Sequence, residues 1–486
     1  MQLHKKSIIL LTALVALMLP NACQKDKLDQ SPENQLEEAV IFDTPDRFLS
    51  LANGLYDAMK SGQFYGGRYI VYGDIRAEEF LNETGNGVTG LQTWNHTLVE
   101  STNEVNNLWN AIYFCINSCN IYMVGVENNK AVLKNDALAA NYIAEARFIR
   151  ALCYHSLLQL YARPYADGNG SKPGVPLRLR AETTNGNDDL ARSTVAQVYD
   201  QILADLDAAI ANLPDKHASA LLNTTRAHKN TAIAFKTRVL LGMGRYADVI
   251  TEANKIVPAA APFKAATGVA HELQASVKNV FTTPYTTTES IFSMPFTSND
   301  LPGTQNGLGS YYNPGPRGIG DYSLNKAGII GDSVNFKAAD ARRQFTLVAG
   351  AKVWLNKFPA GSEHLDYAPV IRYAEVLLNA AEAIARTAGV DQRAIDLLNA
   401  VHKRSDASKT FVAADFADGN ALADAILRER RIEFLGEGFR SFDSMRLLVP
   451  LPKKANVAAI NVDNPDYIWP IPSGELLANK LCEPNP

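Results

Sequence analysis

The stretch Asp424–Arg446, DAILRERRIEFLGEGFRSFDSMR, constrains the fold more than any other part of this chain. Ala425, Ile426, Ile432 and Leu435 can share one apolar side of a helix, while Arg430, Arg431, Glu433, Glu437, Arg440, Asp443 and Arg446 crowd between Phe434, Phe439 and Phe442. A guanidinium cannot shed its charge and carries five donors, so arginines pressed among phenylalanines need carboxylates or carbonyls within reach. The pattern predicts a buried ion-pair scaffold. A catalytic acid or nucleophile would have to stand apart from neutralising partners, whereas every carboxylate here has an arginine close in sequence. Gly436 and Gly438 mark where the helix stops and the chain turns.

Such a scaffold needs a large body around it, and 486 residues of which 47% are hydrophobic supply one. A net charge of −4 gives no reason to expect nucleic acid as a partner. Cys115 and Cys119 are four apart in an apolar helical run with no further ligand at metal-site spacing, which predicts buried free thiols and no metal. No cofactor motif is present: His271-Glu272 begins like a zinc-protease signature but lacks the second histidine, and no phosphate loop or nucleophile elbow occurs.

At the N-terminus Lys5 and Lys6 precede the uncharged run Ser7–Leu19, and Ala22 stands just before Cys23. This is a secretory signal layout, and its apolar run is shorter than the roughly 20 residues that cross a bilayer. The small residue followed by cysteine resembles a bacterial lipobox. That resemblance implies a lipoprotein signal peptide over 1–22, lipidation at Cys23 and a polar, flexible leader over 23–43. Several acyl chains, at about 0.8 kcal/mol per buried methylene, make a stable anchor in outer-membrane lipid.

From Thr44 the pattern is helical. Phe48, Leu51, Leu55 and Met59 recur at helical spacing, a second helix is predicted over about 105–124, and a third over 141–161, where good helix formers run without glycine or proline. Ser193-Thr194-Val195 opens a capped amphipathic helix that Pro214 stops. Residues 226–257 and 371–404 read as helix pairs with small residues at the crossings, similar to tetratricopeptide units. Between 258 and 369 the helical signal fades into a glycine- and proline-rich stretch with one expected strand near Ser290–Phe296. Its tyrosines and tryptophan are too many for a disordered linker, so a loop layer is expected on the helical scaffold.

Several runs resemble the SusD/RagB family: Glu145-Ala146-Arg147-Phe148 with Arg150-Ala151, Gly174-Val175-Pro176-Leu177, the run Ile371–Ala383, Glu429-Arg430-Arg431 with Glu433 through Arg446, and the closing Trp469-Pro470-Ile471-Pro472. The resemblance implies a mainly α, tetratricopeptide-like scaffold with a long irregular insertion and few short strands. Its regions would be 44–257, and 258–486 with a ligand face at 258–369 and a helical signature at 370–446. It also implies a surface lipoprotein of the bacterial outer membrane that captures a nutrient for a SusC- or RagA-like TonB-dependent transporter. Arg147 and Arg150, on an otherwise apolar helix, read as internal struts.

For ligand, the residues favour a glycan: sugars offer apolar C–H faces ringed by hydroxyls, and bind aromatic platforms beside amides, carboxylates or arginines. Two loop regions hold that mixture, Asp74 with Trp94-Asn95-His96, and Tyr311, Tyr312, Asn313, Arg317 and Trp354. A peptide ligand, or a protein adaptor without small-molecule ligand, are the alternatives. Asp74, Glu78 and Glu79 form an acidic group, but Arg76 intervenes and no catalysis is expected.

Overall fold

The computed structural model of the protein describes residues 41–184, 186 and 188–485, so the expected signal peptide, Cys23 and the expected leader up to residue 40 lie outside the described residues. Helix α1 (Pro45–Met59) buries Phe48, Ala52, Leu55 and Met59 along one stripe. Phe42, within the span expected to be leader, packs its ring on Phe48 (centroids 5.0 Å apart) and Tyr122 (6.1 Å). The end of the expected leader is thus part of the folded body. Next come α2 (Arg68–Ile75), strand β1 (Phe80–Asn82), α3 (Leu91–Asn95), α4 (Asn103–Asn129) and α5 (Asp136–Tyr161).

Helix α5 is central. Its N-cap Asn135 accepts the Leu138 N–H (3.1 Å), and from Ala144 to Tyr161 nearly its whole circumference is buried. A helix without a polar face must be wrapped by others. Here α1, α4 and α6 (Val195–Asn212) do so. Its charged residues Glu145, Arg147 and Arg150 are paired, as struts should be. Arg226 forks onto Glu145 (2.7 and 2.9 Å), Arg150 forks onto Asp205 (both 2.8 Å) and reaches Asn120 (2.7 Å), and Arg147 adds a 3.0 Å bond to Asp205. Helix α6 starts with a capping box in which the Thr194 hydroxyl accepts the Gln197 N–H (3.2 Å) and the Gln197 side chain accepts the Thr194 N–H (2.9 Å). Thr194→Ala is expected to cost about 1 kcal/mol, read as a lower urea midpoint.

Helices α7 (Ala220–Thr225), α8 (Lys229–Gly242) and α9 (Tyr246–Ala253) follow, and α8 and α9 turn at Gly244, whose φ of 70° suits glycine. The segment 258–369 is more ordered than its composition suggests. It holds the expected strand β2 (Ser290–Met294), but also α10 (Leu308–Tyr312), β3 (Tyr322–Leu324), β4 (Thr346–Ala349), β5 (Lys352–Leu355) and β6 (Ala368–Arg372). Strands β2 and β6 pair antiparallel, so Ile371 and Arg372 end a strand and the helix expected from 371 starts at Tyr373. Pro369 and the β-branched pair Val370-Ile371 suit that edge pairing better than a helical turn. The other four strands form one sheet in the order β1-β3-β5-β4. They are too short, and β1 too far in sequence from β3, for a period-2 pattern to reveal them.

After β6 the chain forms α11 (Tyr373–Ala388), α12 (Gln392–Lys403), α13 (Gly419–Glu433), α14 (Arg440–Arg446) and α15 (Ser473–Ala478). Helix α11 packs on α9, α12 and α13. The turn after α13 uses Gly436 and Gly438 at φ of 85° and 83°. Near the C-terminus the Asn485 amide donates to the carbonyls of Tyr161 (3.0 Å) and Trp469 (2.7 Å), tying the tail to the end of α5.

The ion-pair scaffold is present, but many of its partners come from elsewhere in the chain. Arg372 donates to Glu289 (2.7 Å), Glu433 (2.9 Å) and both oxygens of Glu437 (2.7 and 2.8 Å). Arg404 joins Glu289 and Glu433, Arg342 joins Asp340, Glu429 and Glu433, and Lys357 joins Glu437 (2.6 Å). Burial works to raise the Glu433 carboxyl, yet Arg404, Arg372 and Arg342 bring it down to about 2. Alongside, Arg430 and Arg446 hold Asp443, Arg446 also holds Glu382, and Arg431 and Arg440 hold Glu78. Of the acidic group Asp74, Glu78 and Glu79, the two glutamates are therefore structural counter-ions; Arg431 also reaches Glu79. Cys115, Cys119 and Cys153 are buried free thiols, and among the described residues no group of three or more potential ligands is placed to hold a metal.

Candidate functional site

The two loop regions expected to carry ligand do meet, because β1 and β3 pair side by side. Asn82 stands opposite Tyr322, and beyond that pair the Glu83 N–H donates to the Asp321 carbonyl (2.8 Å). The loops that leave these strands, 83–90 and 313–321, therefore lie on one edge, next to Lys352 and Trp354 of β5.

Most of the expected stacking residues face inward, which corrects the sequence-based assignment. Trp94 is buried and its indole N–H donates to the Phe80 carbonyl (2.9 Å). Tyr311 and Tyr312 are buried in α10; Tyr311 donates to the Gln305 carbonyl (2.6 Å) and Tyr312 to Asp74 (3.0 Å). Asp74 is itself buried, and burial pushes its carboxyl well above the usual range. His96 and Asn313 are buried too, and burial brings the His96 imidazole down to about 2. An aromatic ring removes a large apolar area from water when it packs, and here packing prevails over display. Trp354 is also buried, with Gly320 against the end of its ring and the Lys352 ammonium 5.8 Å from its centroid. Asn95 is half-buried. Arg317 is exposed at the loop tip, and among the described residues its guanidinium has no acceptor.

What the edge does present is a polar rim that sequence reasoning missed. Glu83 accepts from Ser323 and from Lys352, Thr84 donates to Asp321, and the Gly85 N–H donates to the Asn82 side-chain oxygen (2.8 Å). Burial raises the Asp321 carboxyl against the pull of the Thr84, Thr89 and Asn86 side chains. Within this rim four buried side-chain atoms lack a well-formed hydrogen bond: Asn82 Nδ2, Gln92 Oε1, Asp321 Oδ2 and Trp354 Nε1. Buried polar atoms are normally satisfied, and a rim that offers both donors and acceptors suits a hydroxylated group. Nothing in the sequence flags them. They are ordinary polar residues until pairing of strands 240 positions apart brings them together, as the Ser323–Glu83 bond shows.

Residues 26–241 match a family model described as "Starch-binding associating with outer membrane", and residues 351–486 match that of the SusD family. A crystal structure of a SusD superfamily protein from Bacteroides fragilis is 32% identical, with a TM-score of 0.82 over 91% of this chain and 100% of its own. SusD-like protein P2 of Formosa agariphila is 24% identical over 98% of each chain. Surface glycan-binding protein A of Bacteroides thetaiotaomicron, solved in complex with laminarihexaose, shares the fold at 20% identity, with a TM-score of 0.71 over 90% of this chain and 98% of its own.

Proposed function

The chain belongs to the SusD family, and on that premise we propose that it captures an oligosaccharide at the bacterial outer membrane and passes it to a SusC-like TonB-dependent transporter. Lipidation at Cys23 would tether it there. No helix among the described residues is long and apolar enough to cross a membrane.

The observation that carries the glycan reading is the polar rim itself, where Asn82, Glu83, Thr84, Asp321 and Lys352 set donors and acceptors side by side, with the exposed Arg317 at the loop tip. Hydroxyls alternate as donors and acceptors, which this set matches. Of the acids near the rim, Glu78 and Glu79 are committed to arginines, Asp74 to Tyr312, and Glu83 to Lys352 and Ser323; Asp321 alone keeps an open oxygen, and a single carboxyl lacks the partner that glycosidases use. Binding rather than catalysis is the reading they support. A peptide ligand has one feature in its favour, since β4 is a sheet edge with Val348 exposed and its outer backbone groups could pair with an extended chain.

The test is a binding screen of the chain from Ser31, which retains every described element, against matched panels of neutral glycans and peptides. Glycan binding is expected, weakened about five- to tenfold by Asn82→Ala and by Arg317→Ala, each of which removes one or two hydrogen bonds. Binding confined to peptides, and lost when Val348→Pro blocks the edge, would replace the glycan reading with the peptide one.

A further inference from the structure

The polar rim lacks an aromatic platform, and the same loop layer supplies one elsewhere. Every phenylalanine, tyrosine and tryptophan between 258 and 369 is buried except Tyr285 and Tyr367, which are half-exposed. Their rings stack, with centroids 4.8 Å apart and planes inclined by 22°. They come from two separate loops, ahead of β2 and ahead of β6.

The pair is held rather than merely adjacent. Tyr285 has a φ of 62°, a left-handed conformation that a bulky residue rarely adopts and that persists only where its surroundings impose it. Its N–H donates to the Thr282 carbonyl (2.9 Å) and its hydroxyl to Asp366 (3.2 Å). Asp366 is buried, and its two oxygens also accept the Ala360 N–H (3.0 and 3.2 Å). The exposed Thr283 lies within hydrogen-bonding reach of Tyr285, and the exposed Glu363 lies close to Asp366. An apolar face rimmed by hydroxyls and a carboxylate matches a pyranose, whose C–H face stacks while its hydroxyls reach the rim. The nearby acids, Glu363 and Asp366, disfavour an anionic sugar.

We propose that Tyr285 and Tyr367 form a stacking subsite for an uncharged pyranose unit, separate from the Asn82–Asp321–Trp354 rim, with Asp366 as the residue that positions Tyr285. The proposal rests on the glycan reading above. The loop that carries Arg317 links the two places, since the Arg317 carbonyl accepts the N–H (2.6 Å) and hydroxyl (3.1 Å) of Ser362.

The experiment is calorimetric titration of the chain from Ser31 with laminarihexaose, maltohexaose, cellohexaose, xylohexaose and hexagalacturonate. Tyr367→Ala, Tyr367→Phe, Asp366→Asn and Arg317→Ala are run beside the wild type. Tyr367→Ala is expected to weaken the bound neutral glycan at least about tenfold, Tyr367→Phe to leave it nearly unchanged, and Asp366→Asn to fall between. Should Tyr367→Ala fail to fold, fluorine NMR of the wild type carrying 3-fluorotyrosine, assigned through Tyr285→Phe and Tyr367→Phe, reads the same contact as shifts of those two resonances on binding.

Unchanged affinity in Tyr367→Ala, or unmoved resonances, while Arg317→Ala still weakens binding, would mean that the pair only packs two loops together. Hexagalacturonate bound as tightly as the neutral chains, with Tyr367 contributing equally, would overturn the uncharged specificity. If no hexasaccharide binds the wild type, the glycan reading falls and this subsite falls with it.

Discussion

Replacing Arg372 with methionine is expected to destabilise the protein by about 3–5 kcal/mol, the usual result of removing one partner from a buried charge cluster. Around it the cations Arg342, Lys357, Arg372 and Arg404 face the carboxylates Glu289, Asp340, Glu429, Glu433 and Glu437, so the cluster is already one negative charge in excess. Arg372 is 2% exposed and bonds to three of the five. Without it Glu289, Glu433 and Glu437 have no access to water and only Arg404, Arg342 and Lys357 nearby. Methionine preserves most of the volume, which separates the charge effect from a cavity. Denaturant unfolding at neutral pH reads the loss. A shift worth less than about 1 kcal/mol would show that the remaining cations suffice. Adding Glu437→Gln should recover part of the loss, because it removes one stranded charge, while Arg317→Ala at the exposed tip should stay within about 0.5 kcal/mol of wild type.

The second large effect is a loss of stability in mild acid that individual residues set with opposite signs. His155 sits edge-on to Phe235 with ring centroids 5.2 Å apart, and burial, aided by Arg238, brings its imidazole down to about 3. An unfolded histidine titrates near 6.5. Its stabilising contribution is therefore complete above about pH 6.5 and shrinks as the pH falls below that, because the unfolded chain takes up a proton that the folded one refuses. Between pH 7.5 and 5 this amounts to about 2 kcal/mol for His155 alone. His271, which burial brings down to about 4 and whose Nδ1 faces the Thr288 carbonyl at 2.8 Å, acts in the same direction, as do His96 and His228.

Asp366 opposes them. Burial pushes its carboxyl up to about 6, so between pH 6 and the ordinary carboxylate range the folded state binds the extra proton and gains on acidification. Unfolding free energies at pH 7.5 and pH 5 should therefore differ by about 2 kcal/mol less in His155→Phe than in wild type, and by about 1.4 kcal/mol more in Asp366→Asn. Equal pH dependence in all three proteins would sink this account. His155→Phe keeps a ring against Phe235 and should fold normally at pH 7.5.

Much of the fold was readable along the chain. The unbroken run of helix formers became α5, Thr194 capped α6, and the glycines at 436 and 438 ended α13 where a left-handed turn was needed. The candidate site was not readable in the same way. Trp94, Tyr312 and Trp354 looked like platforms, and Tyr285 and Tyr367 did not stand out from them; packing alone turned the first three inward and left the last two half-exposed.

The division follows from the range of the forces involved. A helix, its cap and its stop are decided by hydrogen bonds and side chains within about four residues of one another, and these are present in any short window of sequence. The density of arginine and phenylalanine after Asp424 likewise required burial with counter-charges, whatever those charges were. Which counter-charge serves, and which face of a ring stays wet, depend on segments that arrive from far away: Glu289 reaches Arg372 from 83 positions off, and Tyr312 is sealed against Asp74 across 238. Only the packed tertiary structure brings those partners together, because burial belongs to the contact and not to the residue.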